Sequence, residues 1–167
     1  MRLIRKILFV FIFSRFQKNI DTHSFENLNF KKLDFNNYKQ IKSFIFKKNF
    51  YKDSNKYVQS FDFLNFSKDI GGKIGIELSK KSIFNWYFKN KYKIFFPWLE
   101  DFTSRRFINI IYNYEYINSS SNFNKRKLLN KILTIHIQRI LIEFNYKRIS
   151  DISSYDLVGY YLASFIL

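Results

Sequence analysis

The spacing of apolar residues divides this chain into an irregular first third and a patterned remainder. Between residues 19 and 56, Phe25, Leu28, Phe30, Leu33 and Phe35 recur at uneven intervals among Asn and Lys. Periodicity there is weak, which predicts an extended segment wrapped on a partner. A short helical spacing is found at Ile41, Phe44 and Ile45. From Tyr57 to Phe66, Phe61 and Phe63 flank Asp62 in alternation, and Ile74, Ile76 and Leu78 alternate with Gly75 and Glu77. With Gly71-Gly72 between them as turn chemistry, the pattern predicts a β-hairpin over about 57–79.

Helical patterns dominate afterwards. Ser79 or Ser82 is placed to cap a helix carrying Ile83, Phe84, Trp86, Tyr87 and Phe88 and ending near Lys93. Pro97 followed by Glu100 and Asp101 predicts a helix start, because acids favour the positive end of the helix dipole. That helix runs to about Asn113, although Tyr112–Ile117 also alternates as a strand would. Residues 117–124, INSSSNFN, read as a loop. Lys125–Phe144 is the clearest helix: Leu129, Ile132, Leu133, His136, Ile140, Leu141 and Phe144 share one side. A strand reading of Leu133, Ile135 and Ile137 stays open. Ser153 and Asp156 resemble a capping box opening a last helix to Leu167. These elements predict an α+β fold: a small single domain with a central β-hairpin and C-terminal helices, plus an extended basic N-terminal segment. The expected division is a basic arm at 1–56 and an α+β body at 57–167.

Charge changes the picture most. The chain has 167 residues, a formal net charge of +16 and no cysteine. Disulfide scaffolds, zinc knuckles and thiol nucleophiles are thereby excluded. Hydrophobic residues make up 47% of the chain, enough for a packed core. Residues 1–60 hold 13 Lys and Arg against 4 acids, so the excess is concentrated at the start. Within it, Ile7–Phe13 is an apolar run between Arg2, Arg5, Lys6, Arg15 and Lys18. That run is shorter than the roughly 18 residues of a membrane span. No small-residue cleavage site follows it, unlike a secretory leader. It reads as a buried segment with basic ends, an arm entering a larger assembly, or a membrane-surface anchor.

Phe, Ile, Asn, Lys and Tyr together form more than half of the chain, beside one Ala, one Pro and four Gly. All five can be encoded by A and T alone. In this composition the chain resembles organelle-encoded, mitochondrial ribosomal proteins from AT-rich genomes, and a retained Met1 fits synthesis inside the organelle. The resemblance covers the whole chain by composition and carries no motif. It implies a non-enzymatic, structural, rRNA-binding ribosomal component on the matrix side of the mitochondrion, with rRNA and neighbouring ribosomal proteins as partners. Codon bias also inflates Lys, so part of the charge has a mutational origin. The alternative is an organelle-encoded accessory subunit of an inner-membrane respiratory-chain or ATP-synthase complex, touching membrane protein through its N-terminus and lipid head groups through its cations.

Catalytic patterns are not legible. His23 and His136 stand far apart, and His136 on an apolar helical face reads as a core histidine. Glu100-Asp101 read as helix-start electrostatics. GGKIG at 71–75 lacks the spacing of a phosphate loop or dinucleotide fingerprint, although Lys73 stands beside the turn. No cofactor, metal or catalytic residue is therefore expected. The positive signal lies in basic clusters, because Lys and Arg that neutralise phosphates release condensed counterions. The expected nucleic-acid contacts are Lys31, Lys32, Lys47, Lys48, Lys80, Lys81, Arg105, Arg106, Lys125, Arg126, Lys127, Lys147 and Arg148. Arg106 and Arg126 lead that set because guanidinium matches phosphate geometry. Aromatics interleave with cations at Phe46-Lys47, at Phe50-Tyr51-Lys52 and at Lys91-Tyr92-Lys93, a pattern able to stack exposed bases.

Overall fold

The computed structural model describes residues 56–93, 98 and 101–166. The expected arm, the Ile7–Phe13 run and Lys31, Lys32, Lys47 and Lys48 lie outside the described residues, as do Pro97 and Glu100. Helices run as α1 (Lys56–Gln59), α2 (Leu64–Ile70), α3 (Gly72–Asn90), α4 (Phe102–Tyr112), α5 (Tyr114–Asn118), α6 (Phe123–Tyr146) and α7 (Ser154–Ile166), with a 3-10 turn at Ile149–Asp151. Among the described residues there is no strand, so the α+β expectation gives way to an all-helical body.

The predicted β-hairpin over 57–79 is instead α1, α2 and the first two turns of α3. Its alternation was misleading for a physical reason. The inner face of α3 begins with small residues, Gly75, Ser79 and Ser82, and becomes apolar only from Ile83 and Trp86 onward. Ile74, one of the alternating residues, points outward and is 72% exposed. Gly71-Gly72 is a turn as expected, but it joins two helices: φ is 82° at Gly71 and 48° at Gly72, values that glycine adopts without a side-chain penalty. Ser79 and Ser82 are not caps. Their hydroxyls donate back to the carbonyls of Gly75 and Leu78, at 2.8 and 2.7 Å, within the helix. Tyr112–Ile117, open to a strand reading, is the end of α4 and most of α5.

The loop expected at 117–124 is shorter, residues 119–122, because Tyr114–Asn118 and Phe123–Tyr146 are helical on either side, while the capping box at Ser153 and Asp156 has a direct counterpart. Asn122 caps α6, its side chain accepting from the Lys125 amide at 3.0 Å. At α7 the Ser153 amide donates to Asp156 Oδ2 at 3.0 Å, and the Asp156 amide donates to Ser153 Oγ at 3.2 Å. This reciprocal pair satisfies two donors that a helix start leaves open.

Packing follows from the buried faces. α4, α6 and α7 pack on one another, α2 packs on α3, and α3 on α5. Ile83, Phe107, Ile110, Ile132, Leu133 and Ile137 are fully buried among them. Phe61 turns the chain between α1 and α2 with φ at 62°, a left-handed conformation that a bulky residue adopts only when held there. Its ring is held edge-on by Phe63 and Trp86, at centroid distances of 5.7 and 5.3 Å.

Candidate nucleic-acid interface

The sequence pairs its cations, and a helix separates them. Consecutive residues on a helix point about 100° apart, so one member of a pair can face water while the other faces the core. Arg105 and Arg106 behave in this way on α4. Arg105 lies at the surface, where its Nε donates to Asp101 Oδ2 at 2.8 Å and its guanidinium covers the Tyr155 ring at 3.9 Å. Arg106 is completely buried. Its guanidinium lies 4.1 Å from the Trp86 ring and 4.8 Å from the Trp98 ring. Its Nη1 donates to the Gln59 carbonyl at 2.7 Å, and its Nε donates to His136 Nε2 at 3.1 Å. One of the two leading expectations of a phosphate contact therefore falls on a core residue. Its position was readable: Arg106 precedes Phe107 and lies one turn before Ile110, on the face that α4 buries.

Lys80 and Lys81 divide in the same way on α3. Lys81 is exposed. Lys80 is 2% exposed, covered where its Nζ reaches Ser120 Oγ at 3.1 Å and Glu77 Oε1 at 3.5 Å. Lys147 is tied to Asp156 Oδ2 at 2.7 Å, while Arg148 is exposed.

The fold brings together two clusters that are distant in the sequence. Glu77 on α3 pairs with Lys80 and also with Lys125 on α6, at 3.4 Å to Oε2. Burial pushes the Glu77 carboxyl up, but the charges of Lys125 and Lys80 and their hydrogen bonds together outweigh it and hold the carboxyl below its usual range. One helical step of four residues on either side of Glu77 places Lys73 and Lys81 on the same side of α3. On α6, residues 122–127 are all exposed, so Lys125, Arg126 and Lys127 project from the first turn, with Lys131 one turn beyond Lys127. Lys131 was not singled out in the sequence; its four-residue spacing from Lys127 was the available signal. The first turn of α6 contains no acidic residue. Three cations thus crowd the positive end of a 24-residue helix, where like charge is disfavoured and an anion is favoured.

The chain matches no family model, and no curated protein or solved structure proved similar to it.

Among the described residues no three or more of His, Asp and Glu are grouped to hold a metal ion. Nor is any described helix long and apolar enough to cross a membrane. The polar notch between Ser104, Glu143, Lys147 and Asp156 measures about 10 Å³, room for one water.

His136 adds a pH dependence. It is fully buried, and it accepts from Arg106 through Nε2, so Nδ1 carries the proton and donates to the Ile132 carbonyl at 2.8 Å. Burial first, then the adjacent Arg106 charge, holds the imidazole well below its usual value. The unfolded chain protonates this histidine near pH ~6.5 and the folded chain does not, so the unfolded state binds more protons below that pH. Stability from this group is complete above pH ~6.5 and falls by up to about 1.4 kcal/mol per pH unit below it. Urea titrations between pH 7.5 and 5 should show that loss. His136→Gln, which can still accept from Arg106, should flatten the profile in this window. An equal slope in both proteins would assign the effect elsewhere.

Proposed function

We propose that this protein is a structural, non-enzymatic, rRNA-binding component of a mitochondrial ribosome, acting on the matrix side. The observation that supports this reading best is the cationic first turn of α6, Lys125-Arg126-Lys127, set on the positive helix end beside Lys73 and Lys81 of α3. In an isolated protein this arrangement is self-repulsive, with Glu77 as local relief. Backbone phosphates supply compensating negative charge and release their counterions on binding. The outer face of α7 supports the second class of partner, neighbouring ribosomal proteins. Leu157, Val158, Tyr161 and Phe165 are between 48% and 75% exposed there, with no charged residue among them.

A duplex RNA fragment tests the first contact. Affinity should fall steeply with salt. The variant Lys81→Gln/Arg126→Gln/Lys127→Gln should bind about 10- to 100-fold more weakly at low salt, with a log–log salt slope shallower by about two to three. A variant that keeps its circular dichroism spectrum and binds like the parent would defeat this reading. A second reading, an accessory subunit of an inner-membrane complex, draws on the same apolar exterior of α7. Sedimentation separates the two: recovery with rRNA, released by high salt, supports the ribosome, and detergent-dependent recovery with respiratory complexes supports the membrane assembly.

A further inference from the structure

We infer that the C-terminal end of α3 is a stacking site for unpaired RNA bases, built from Phe88 and Tyr92 with Lys89, Lys91 and Lys93. This rests on the RNA-binding reading but concerns a different surface from the α6 turn.

The backbone at this end is fixed from behind. Asn90 is buried; its side-chain amide donates to the Trp86 carbonyl at 2.9 Å, and its own carbonyl accepts from Trp98 Nε1 at 2.8 Å. The Lys91 amide donates to the Tyr87 carbonyl at 2.8 Å, and the Lys93 amide to the Asn90 carbonyl at 2.9 Å. Opposite this anchor, Phe88 is 55% exposed and Tyr92 is 83% exposed. Tyr92 stands just beyond the helix end, two residues after Asn90, and the side chain of Lys91 links its ring to that of Phe88. Lys91 Nζ lies 4.7 Å from the Tyr92 ring centroid and 5.4 Å from that of Phe88. One ammonium is thus shared by both rings, while Lys89 and Lys93 are exposed beside them. No acidic residue occurs from residue 78 to residue 93.

Single exposed aromatics are ordinary on protein surfaces. Two exposed rings sharing a cation and flanked by two more have the composition of a single-strand platform: flat faces for bases and ammonium groups for the phosphates between them. A lysine beside each ring breaks any continuous apolar stripe, which disfavours insertion among acyl chains. A duplex keeps its bases paired and offers the rings nothing, so the site selects for unpaired nucleotides.

The test uses the full chain with three probes: an unstructured 12-nucleotide RNA, a 12-base-pair RNA duplex, and vesicles containing anionic phospholipid. Phe88→Leu/Tyr92→Leu keeps apolar bulk and charge but removes the flat faces, and circular dichroism melting confirms that it is folded. At fixed salt the double variant should bind the single strand about tenfold more weakly, with an unchanged salt slope and unchanged duplex affinity. Equal weakening on the duplex, or no weakening on the single strand, overturns the stacking site. So does a ring dependence confined to the vesicles. If the parent protein binds neither RNA at low salt, the ribosomal reading fails and the site fails with it. If the parent binds both and the ring variant binds the single strand equally well, the stacking site alone fails.

Discussion

Arg106→Ala is expected to lower the melting temperature by roughly 10 °C or more. The guanidinium fills a box walled by Trp86, Trp98 and Phe61, the last at 6.0 Å, and its loss removes both volume and hydrogen bonds. The Gln59 carbonyl and His136 Nε2 lose their donors. Removing one partner from a buried charged network typically costs about 3–5 kcal/mol, and about 1 kcal/mol shifts the melting temperature of a chain this size by about 2–4 °C. Arg106→Met separates shape from charge. It restores apolar volume without the expense of a buried cation, so it should recover much of the loss. Burial and the nearby Arg139 charge already depress the Arg106 pKa, and Arg139 itself is lowered to about 10, chiefly by burial. Interior positive charge is therefore a burden on this core as well as a fastener. Thermal melts followed by circular dichroism at 222 nm decide the matter. An Arg106→Ala protein that melts normally but has lost RNA affinity would return this residue to the surface interface.

Gly75→Ala should be the second severe change, at about 3 kcal/mol destabilising. A Cβ at this position is built against the Ser67 carbonyl oxygen and the Tyr116 hydroxyl, closer than real Cβ atoms approach such atoms. Those two groups are themselves joined, Tyr116 Oη donating to the Ser67 carbonyl at 2.9 Å. Relief requires α2 or α5 to move away from α3, since the Ser67 oxygen is main chain and cannot swing aside. Alanine is worth about 1 kcal/mol more than glycine inside an exposed helix. The opposite sign expected here is therefore diagnostic of the close crossing. Lys73→Ala, at the exposed second position of the same helix, gives the reference for an alanine that meets no neighbour. If Gly75→Ala melts at or above the parent temperature, the helices do not meet as described.

How far the fold could be read depended on where each element keeps its information. The long helix around Ile132, Leu133 and Ile140 was legible because its inner positions are aliphatic and regularly spaced. The Ser153–Asp156 box was legible because both partners are three residues apart and need no tertiary context. Residues 57–79 were not, because α3 makes its contacts there through Gly75 and Ser79, which carry no hydrophobic signal. Composition added to the difficulty. Ile149 is 91% exposed, Phe123 77% and Ile74 72%, so a bulky apolar residue in this chain does not by itself mark the inside. The surface was half legible for a related reason. Counting cations located the basic regions, but only helix phase tells Lys81 from Lys80 and Arg105 from Arg106. The meeting of Glu77 with Lys125 depends on a separation of 48 residues that no local pattern encodes.

Trp86 and Trp98 are the two tryptophans of the chain, and their ring centroids lie 4.9 Å apart in the Arg106 box. Tryptophan emission, excited at the red edge where the twelve tyrosines do not absorb, therefore originates from one buried compartment. A red shift of that emission marks water reaching this compartment, whatever is bound to the basic exterior. The molecule carries its own optical gauge of core integrity, needing no dye or tag and usable while an RNA titration is under way.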